Sequence, residues 1–130
     1  MFQPDESFEQ DVIAEDEDQP DGTGRERAVL CALCRQMITR SGEKRVVHGK
    51  HAHVLFNPAG IVFEVGCFGQ APGCSRVGPA TLEFTWFDGY AWRICVCRSC
   101  QTHIGWHYQD VHGRDAFFGL ILGRLLEGEV

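Results

Sequence analysis

Two Cys-x-x-Cys pairs, Cys31-Ala-Leu-Cys34 and Cys97-Arg-Ser-Cys100, are the residues whose type and spacing most directly announce chemistry. Two thiolates three positions apart on a tight turn occupy adjacent corners of a tetrahedron. Two such knuckles complete a closed four-cysteine set with no open position. Such a set predicts one structural zinc ion, whose binding free energy of about 10–16 kcal/mol is coupled to folding. A dithiol redox pair is the alternative for either knuckle alone; the second knuckle and the absence of a βαβ pattern weigh against it. The chain has seven Cys, an odd number that a complete disulfide framework would not use. Cys95 alternates with Cys97 on a strand and is expected to pack inward. Cys67 and Cys74 are expected to be free thiols, although oxidation could bridge them. His48, His51 and His53 have metal-like spacing but no neighbouring carboxylate or Cys, and read as a solvated strand edge.

The second chemical concentration is aromatic. All three Trp (Trp86, Trp92, Trp106) and both Tyr (Tyr90, Tyr108) fall between residues 86 and 108. Two-residue alternation puts Phe84 with Trp86, Tyr90 with Trp92, and Trp106 with Tyr108 on shared strand faces. Such a set either packs a core or walls a pocket for a flat ring, and periodicity leaves both open.

The elements that must position these residues are short strands. Arg45–Val47 and residues 53–56 are β-prone, Asn57-Pro58-Ala59-Gly60 is a turn, and residues 61–65 return as its partner strand. Residues 66–80 hold four Gly and two Pro and are expected to form a loop. Asp88-Gly89 predicts a two-residue hairpin joining 84–87 to 90–94. Residues 103–108 form a further strand. Residues 117–126 fit a helical stripe and a strand about equally. The pattern is all-β.

Composition agrees with one globular domain: 130 residues, 44% apolar and 23% charged. The net charge of −6 is unevenly placed. Residues 1–22 carry nine acids and no Lys or Arg, leaving 12 basic and 9 acidic residues in the rest. Residues 1–24 are therefore expected to be a disordered, solubilising acidic tail, in which Phe2, Phe8, Val12 and Ile13 offer a small docking motif, and residues 25–130 the folded domain. The tail's acids and the nearly neutral remainder weigh against a nucleic-acid partner. No apolar run is long enough to span a membrane, and the N-terminus lacks secretory-signal features, which predicts a cytoplasmic address.

Phe84-Thr-Trp86-Phe-Asp-Gly-Tyr90-Ala-Trp92, then Cys97-x-x-Cys100, then His103-Ile-Gly-Trp106-His-Tyr108 resembles the CULT domain, the thalidomide-binding domain family of cereblon, and most of all its short bacterial single-domain members. Phe56-Asn57-Pro58 before Gly60, the first knuckle and Phe117-Phe118-Gly119-Leu120 match in order, so the resemblance covers residues ~30–126. It implies a β-tent, two antiparallel sheets meeting at an angle and pinned by the four-cysteine zinc site. It also implies an aromatic cage of Trp86, Trp92 and Trp106, with Tyr108 at its margin and Asn57 reaching in from a neighbouring loop. In similar proteins that cage holds a cyclic imide: a glutarimide, a uracil-like ring or a cyclised C-terminal Asn or Gln. The imide N–H would donate to the Phe84 carbonyl, and an imide carbonyl would accept from the Trp86 N–H. Phe84 stands where cereblon has a His that adds a side-chain hydrogen bond. The resemblance does not extend to cereblon's adaptor-binding domain, so it implies no ubiquitin-ligase adaptor.

The expected function is thus a non-catalytic binding module. Two rivals remain. A methionine-R-sulfoxide-reductase-like enzyme on the related fold would need a reactive Cys facing the Trp pocket, with Cys95 the candidate. An aromatic-cage reader of a methylated or quaternary ammonium would gain from a nearby carboxylate, Glu83 or Asp88.

Overall fold

The computed structural model describes residues 26–129. The acidic tail expected over 1–24 lies outside them. The described residues form nine strands: β1 (Arg27–Cys31), β2 (Met37–Arg40), β3 (Ala52–Phe56), β4 (Val62–Phe68), β5 (Cys74–Thr81), β6 (Tyr90–Cys97), β7 (His103–Asp110), β8 (Ala116–Ile121) and β9 (Leu125–Glu129). They make two antiparallel sheets, one of three strands in the order β2-β1-β9 and one of six in the order β3-β4-β8-β7-β6-β5. The chain adopts the all-β class expected from the strand pattern and the two antiparallel sheets that the CULT resemblance implies.

The sheets meet where apolar faces cover one another. Val29 and Ile38 of the small sheet pack with Phe68, Cys95, Ile104, Phe118 and Leu120 of the large one. Cys31 ends β1 and Cys97 ends β6, so one knuckle grows from each sheet. Gly73 lies at this seam. Its N–H donates to the Ile38 carbonyl at 2.9 Å and its own carbonyl accepts from the Arg98 N–H at 2.9 Å. A Cβ there would sit 2.0 Å from the Met37 carbonyl oxygen, so only glycine allows the approach. A second cluster, with Val65, Phe87, Tyr108, Phe117 and Ile121, lies further along the large sheet.

Several local expectations are overturned. Residues 66–80 are not one loop: β4 runs to Phe68 and β5 begins at Cys74. Gly66 marks a close approach inside β4, whereas Gly73 combines a turn, closed by the Cys74 N–H donating to the Ala71 carbonyl at 3.1 Å, with its close approach to Met37. Pro79 is accommodated because β5 is an edge strand whose register slips between Val77 and Thr81. Residues 84–87 form no strand, and Asp88-Gly89 closes no hairpin. Gly89 takes φ +84° but Asp88 stays out of the left-handed region, so the two-residue turn with both φ positive does not form. Instead β6 pairs with β5 and β7. Arg45–Val47 gives only isolated bridges at its borders, Lys44 to Phe68 and Val47 to Lys50. Residues 117–126 resolve as β8, a 3-10 turn Leu122–Arg124 and the start of β9.

Candidate functional site

The four knuckle sulfurs all lie within 4.8 Å of one another. Cys31 Sγ is 3.7 Å from Cys100 Sγ, and Cys34 Sγ is 3.5 Å from Cys97 Sγ. Four sulfurs at Zn–S ≈ 2.3 Å have tetrahedral edges of about 3.8 Å, so the spacing and the all-thiol donor set fit one metal ion of zinc's preferences. The two knuckles are built alike. In each, the first Cys N–H donates five residues ahead, to Gln36 and to Thr102, at 2.8 Å. In each, the residue after the second Cys donates back to the first Cys carbonyl while taking positive φ, +70° at Arg35 and +68° at Gln101. Thr102 Oγ1 lies 3.1 Å from Cys100 Sγ and can donate to its thiolate.

The large sheet presents the aromatic residues. Register places Trp92 opposite Tyr108 and Ile94 opposite Trp106 across β6 and β7. These side chains, together with Asn57, Pro58, Phe63, Phe84, Trp86 and His103, line a cavity of about 350 Å³. All six residues singled out from the sequence therefore reach one cavity: Asn57, Phe84, Trp86, Trp92, Trp106 and Tyr108. Trp86 and Trp106 meet edge to face, centroids 4.9 Å apart at 80°, and Phe63 packs its edge on Trp106 at 5.3 Å. Pocket and core are not alternatives here. Trp106, 8% exposed, belongs to the core cluster, whereas Trp86 and Trp92 are half-buried against it. Tyr108 sits deeper than the margin expected for it, at 1% exposure, stacked on Phe117. Burial pushes its phenol above the ordinary range, so the hydroxyl stays protonated.

The loop from Leu82 to Gly89 carries Phe84 and Trp86. Phe87, which the hairpin expectation placed on a strand, is its anchor: 1% exposed, its ring meets Tyr108 at 4.8 Å and Phe117 at 5.1 Å. Thr85 Oγ1 donates to the Tyr90 carbonyl at 2.7 Å and accepts from the Phe87 N–H at 3.4 Å. The indole N–H groups of Trp86 and Trp92 donate to the carbonyls of Phe56 and Glu83, at 2.9 and 2.8 Å. Of these two indoles it is the faces, not the donors, that are left for the cavity. Phe84 takes φ +57°, a rare conformation for a bulky residue, and its side chain is exposed. Neither the Phe84 carbonyl nor the Trp86 N–H has a hydrogen-bond partner among the described residues. Asn57 Oδ1 accepts from Ala59 and Ile61 N–H, which leaves its amide NH2 as a donor. Among the described residues no carboxylate lines the cavity. Burial lowers the pKa of His103, which favours the neutral ring.

Phe63, Phe87, Ile94 and His103 were not singled out from the sequence. Alternation from Phe63 to Val65 on the returning strand carries a signal for the first. Phe87 had none, because its role depends on a loop that propensity reads as a hairpin. The histidines of 48–53 form no metal set among the described residues, and only His48 is exposed as a solvated edge would require. His53 is 7% exposed and packs edge-on against Phe87 at 5.3 Å; the His51 ring is buried against Phe68 at 5.2 Å. Cys67 lies buried in the cage-side cluster and Cys74 packs on the cluster beside the knuckles, so the two do not sit together.

Protein cereblon of Drosophila willistoni is 40% identical over 116 residues, which is 78% of this chain and 18% of that protein. Protein cereblon of Drosophila melanogaster is 33% identical over 96 residues, 68% of this chain and 15% of the relative. That of Danio rerio is 39% identical over 74 residues, 54% and 17%. The chain carries a cereblon-like CULT domain. It spans less than a fifth of the length of these relatives, so the relation concerns the CULT domain and not the remainder of cereblon. No protein-family model matches the chain. Within the CULT domain, the cysteine cluster ties the two sheets and the aromatic cavity opens on the larger of them. No helix among the described residues is long and apolar enough to cross a membrane.

Proposed function

We propose that this CULT domain is a non-catalytic binding module that holds a cyclic imide in the cavity of Trp86, Trp92 and Trp106, with one structural zinc ion on Cys31, Cys34, Cys97 and Cys100. The observation that carries the reading is the pair of unpartnered backbone groups, the Phe84 carbonyl and the Trp86 N–H, on a loop beside indole faces. An imide presents an N–H flanked by carbonyls, which complements that pair, while its ring methylenes gain from apolar walls. The Asn57 amide and the Tyr108 hydroxyl are further neutral donors among the lining residues. Phe84 contributes its backbone and no side-chain hydrogen bond. The ligand class comprises glutarimides, uracil-like rings and C-terminal cyclic imides. Residues 25–130 act as the module, in a reducing, cytoplasmic setting where thiols remain available to zinc.

The ammonium reading is disfavoured because no carboxylate among the described residues lines the cavity. The reductase reading is disfavoured because Cys95, 0% exposed, packs with Cys31 and Cys97 in the cluster between the sheets, not in that of Trp106 and Tyr108. The test is Trp fluorescence of the zinc-loaded chain titrated with uracil, glutarimide and choline. Saturable quenching by the imides, in the micromolar range for about eight heavy atoms, supports the reading. Loss of that quenching in Trp86→Ala at unchanged zinc stoichiometry supports it further. Quenching by choline alone, or loss of zinc from Trp86→Ala, refutes the cage assignment.

A further inference from the structure

The face of the large sheet opposite the cage carries a second concentration of charge. Alternation along β7 sends Trp106 and Tyr108 to the cage and His107 to the other side, where Arg93 is its cross-strand partner. Arg76, on β5, reaches across β6 so that its Nη1 lies 3.4 Å from His107 Nε2. A guanidinium only donates, so His107 Nε2 accepts there and Nδ1 carries the ring proton. The His107 ring is 6% exposed and packs on Phe118 at 4.8 Å. Arg93 Nε is held by the Gly78 carbonyl at 2.8 Å, which leaves its two terminal nitrogens free of that contact. A depression of about 290 Å³ opens here, with Gln70, Arg76, His107, Gln109 and Phe118 in its lining, and Arg93 borders it as the cross-strand neighbour of His107. No carboxylate lines it, and neither Arg76 nor Arg93 forms an ion pair among the described residues.

We propose that Arg76 and Arg93 form a binding site for a compact oxyanion, a carboxylate or phosphate group, on the sheet face opposite the cage, with His107 Nε2 accepting from Arg76 and so holding that guanidinium in place. Each guanidinium lies beside the one buried imidazole and neither is neutralised among the described residues, so an anion that bridges them gains charge-assisted, fork-shaped hydrogen bonds. Burial first, then Arg76 and Arg93, hold the His107 pKa down to about 4, in keeping with a locally positive and unneutralised site. Gln109 and Gln70 supply neutral donors. Two sources offer the same chemistry: a free anion, or the carboxylates of this chain's own residues 1–22, which hold nine acids and no Lys or Arg.

The test is a titration of the zinc-loaded full chain with inorganic phosphate at low ionic strength, followed by NMR at the Arg76 and Arg93 Nε–H groups and the His107 ring. Saturable shifts confined to these groups are expected, with about tenfold or more weaker binding in Arg76→Gln and in Arg93→Gln. Both substitutions lie on the face away from the cage, and unchanged zinc content and Trp fluorescence verify that the variants fold. Shifts that grow linearly with phosphate, that equal amounts of chloride reproduce, or that persist at full affinity in both variants overturn the proposal. A full chain with its nine tail acids replaced by the matching amides separates the sources. Tighter phosphate binding with altered free-state shifts identifies the tail as occupant; unchanged behaviour identifies a free anion.

Discussion

Replacing Phe84 by glycine should stabilise the domain relative to alanine at the same place, although glycine is ordinarily the worse choice. Phe84 sits at φ +57°. That conformation costs an L-residue about 1–2 kcal/mol and costs glycine almost nothing. Against this, glycine's extra freedom in the unfolded chain costs about 0.4–1 kcal/mol. The Phe84 side chain is 67% exposed, so its removal forfeits little buried area. The expected order of stability is Gly above Ala by roughly 0.5–1 kcal/mol, with Val, branched at Cβ, below Ala. For a domain of about 100 residues this separates Gly from Ala by a few degrees in Tm, since 1 kcal/mol moves Tm by about 4–8 °C. Thermal unfolding of the zinc-loaded variants measures the order. The same variants test the site, because a ligand bound through the Phe84 carbonyl does not need the phenyl ring. Imide affinity in Phe84→Gly should stay within about threefold of the parent, since Thr85 and Phe87 still fix the loop. A glycine variant less stable than alanine would refute the conformational argument. A glycine variant that folds but loses imide binding tenfold or more would refute the backbone role.

Removing the metal should unfold the domain. A four-cysteine zinc site contributes about 10–16 kcal/mol, as much as the whole stability of a small domain. Chelation should therefore release one zinc per chain with loss of the strand signal in circular dichroism, and a chelated chain with native spectra would contradict the structural role. Acid should weaken the fold through His51, whose pKa is lowered to about 4, by burial foremost and then by Lys44. Its unfolded pKa lies near 6.5, so between these values the unfolded chain binds more protons and stability falls as pH falls, by on the order of 3 kcal/mol across the full window. Denaturation at pH 7 and 5 with zinc in excess should show a shallower pH dependence in His51→Gln than in the parent; equal slopes would exclude His51 as a cause.

Legibility in the sequence followed the range of the interaction that sets each feature. Cys-x-x-Cys spacing is local and chemically specific, so the metal ligands were legible, and the structure gathers them although 62 residues separate the pairs. Trp106 and Tyr108 were placed by simple alternation on β7, and Trp92 joins them through cross-strand register. Trp86 reached the same cavity for a reason alternation did not contain. It rides on a loop fastened locally by Thr85 to Tyr90 and, over 20–30 residues, by the burial of Phe87 under Tyr108 and Phe117. Gly66 misled in the same way, and Gly73, although it does sit in a turn, carries a second constraint that composition did not show. Their missing side chains answer to Leu122, His51 and Met37, which lie far away in the chain, and local composition reads such glycines as turns. His51 and His53 misled by their polarity, since only the tertiary structure supplies the Phe68 and Phe87 rings on which they pack.

A matched pair of ligands tests the central claim most directly: glutarimide and N-methylglutarimide, titrated into the zinc-loaded protein and followed by Trp fluorescence. The methyl group keeps the ring and both carbonyls and removes the one donor assigned to the Phe84 carbonyl. Leaving that acceptor unpaired costs about 1–3 kcal/mol, so the N-methyl compound is expected to bind about 10- to 100-fold more weakly than the parent imide. Equal affinity for the two would contradict imide recognition by the backbone of this loop.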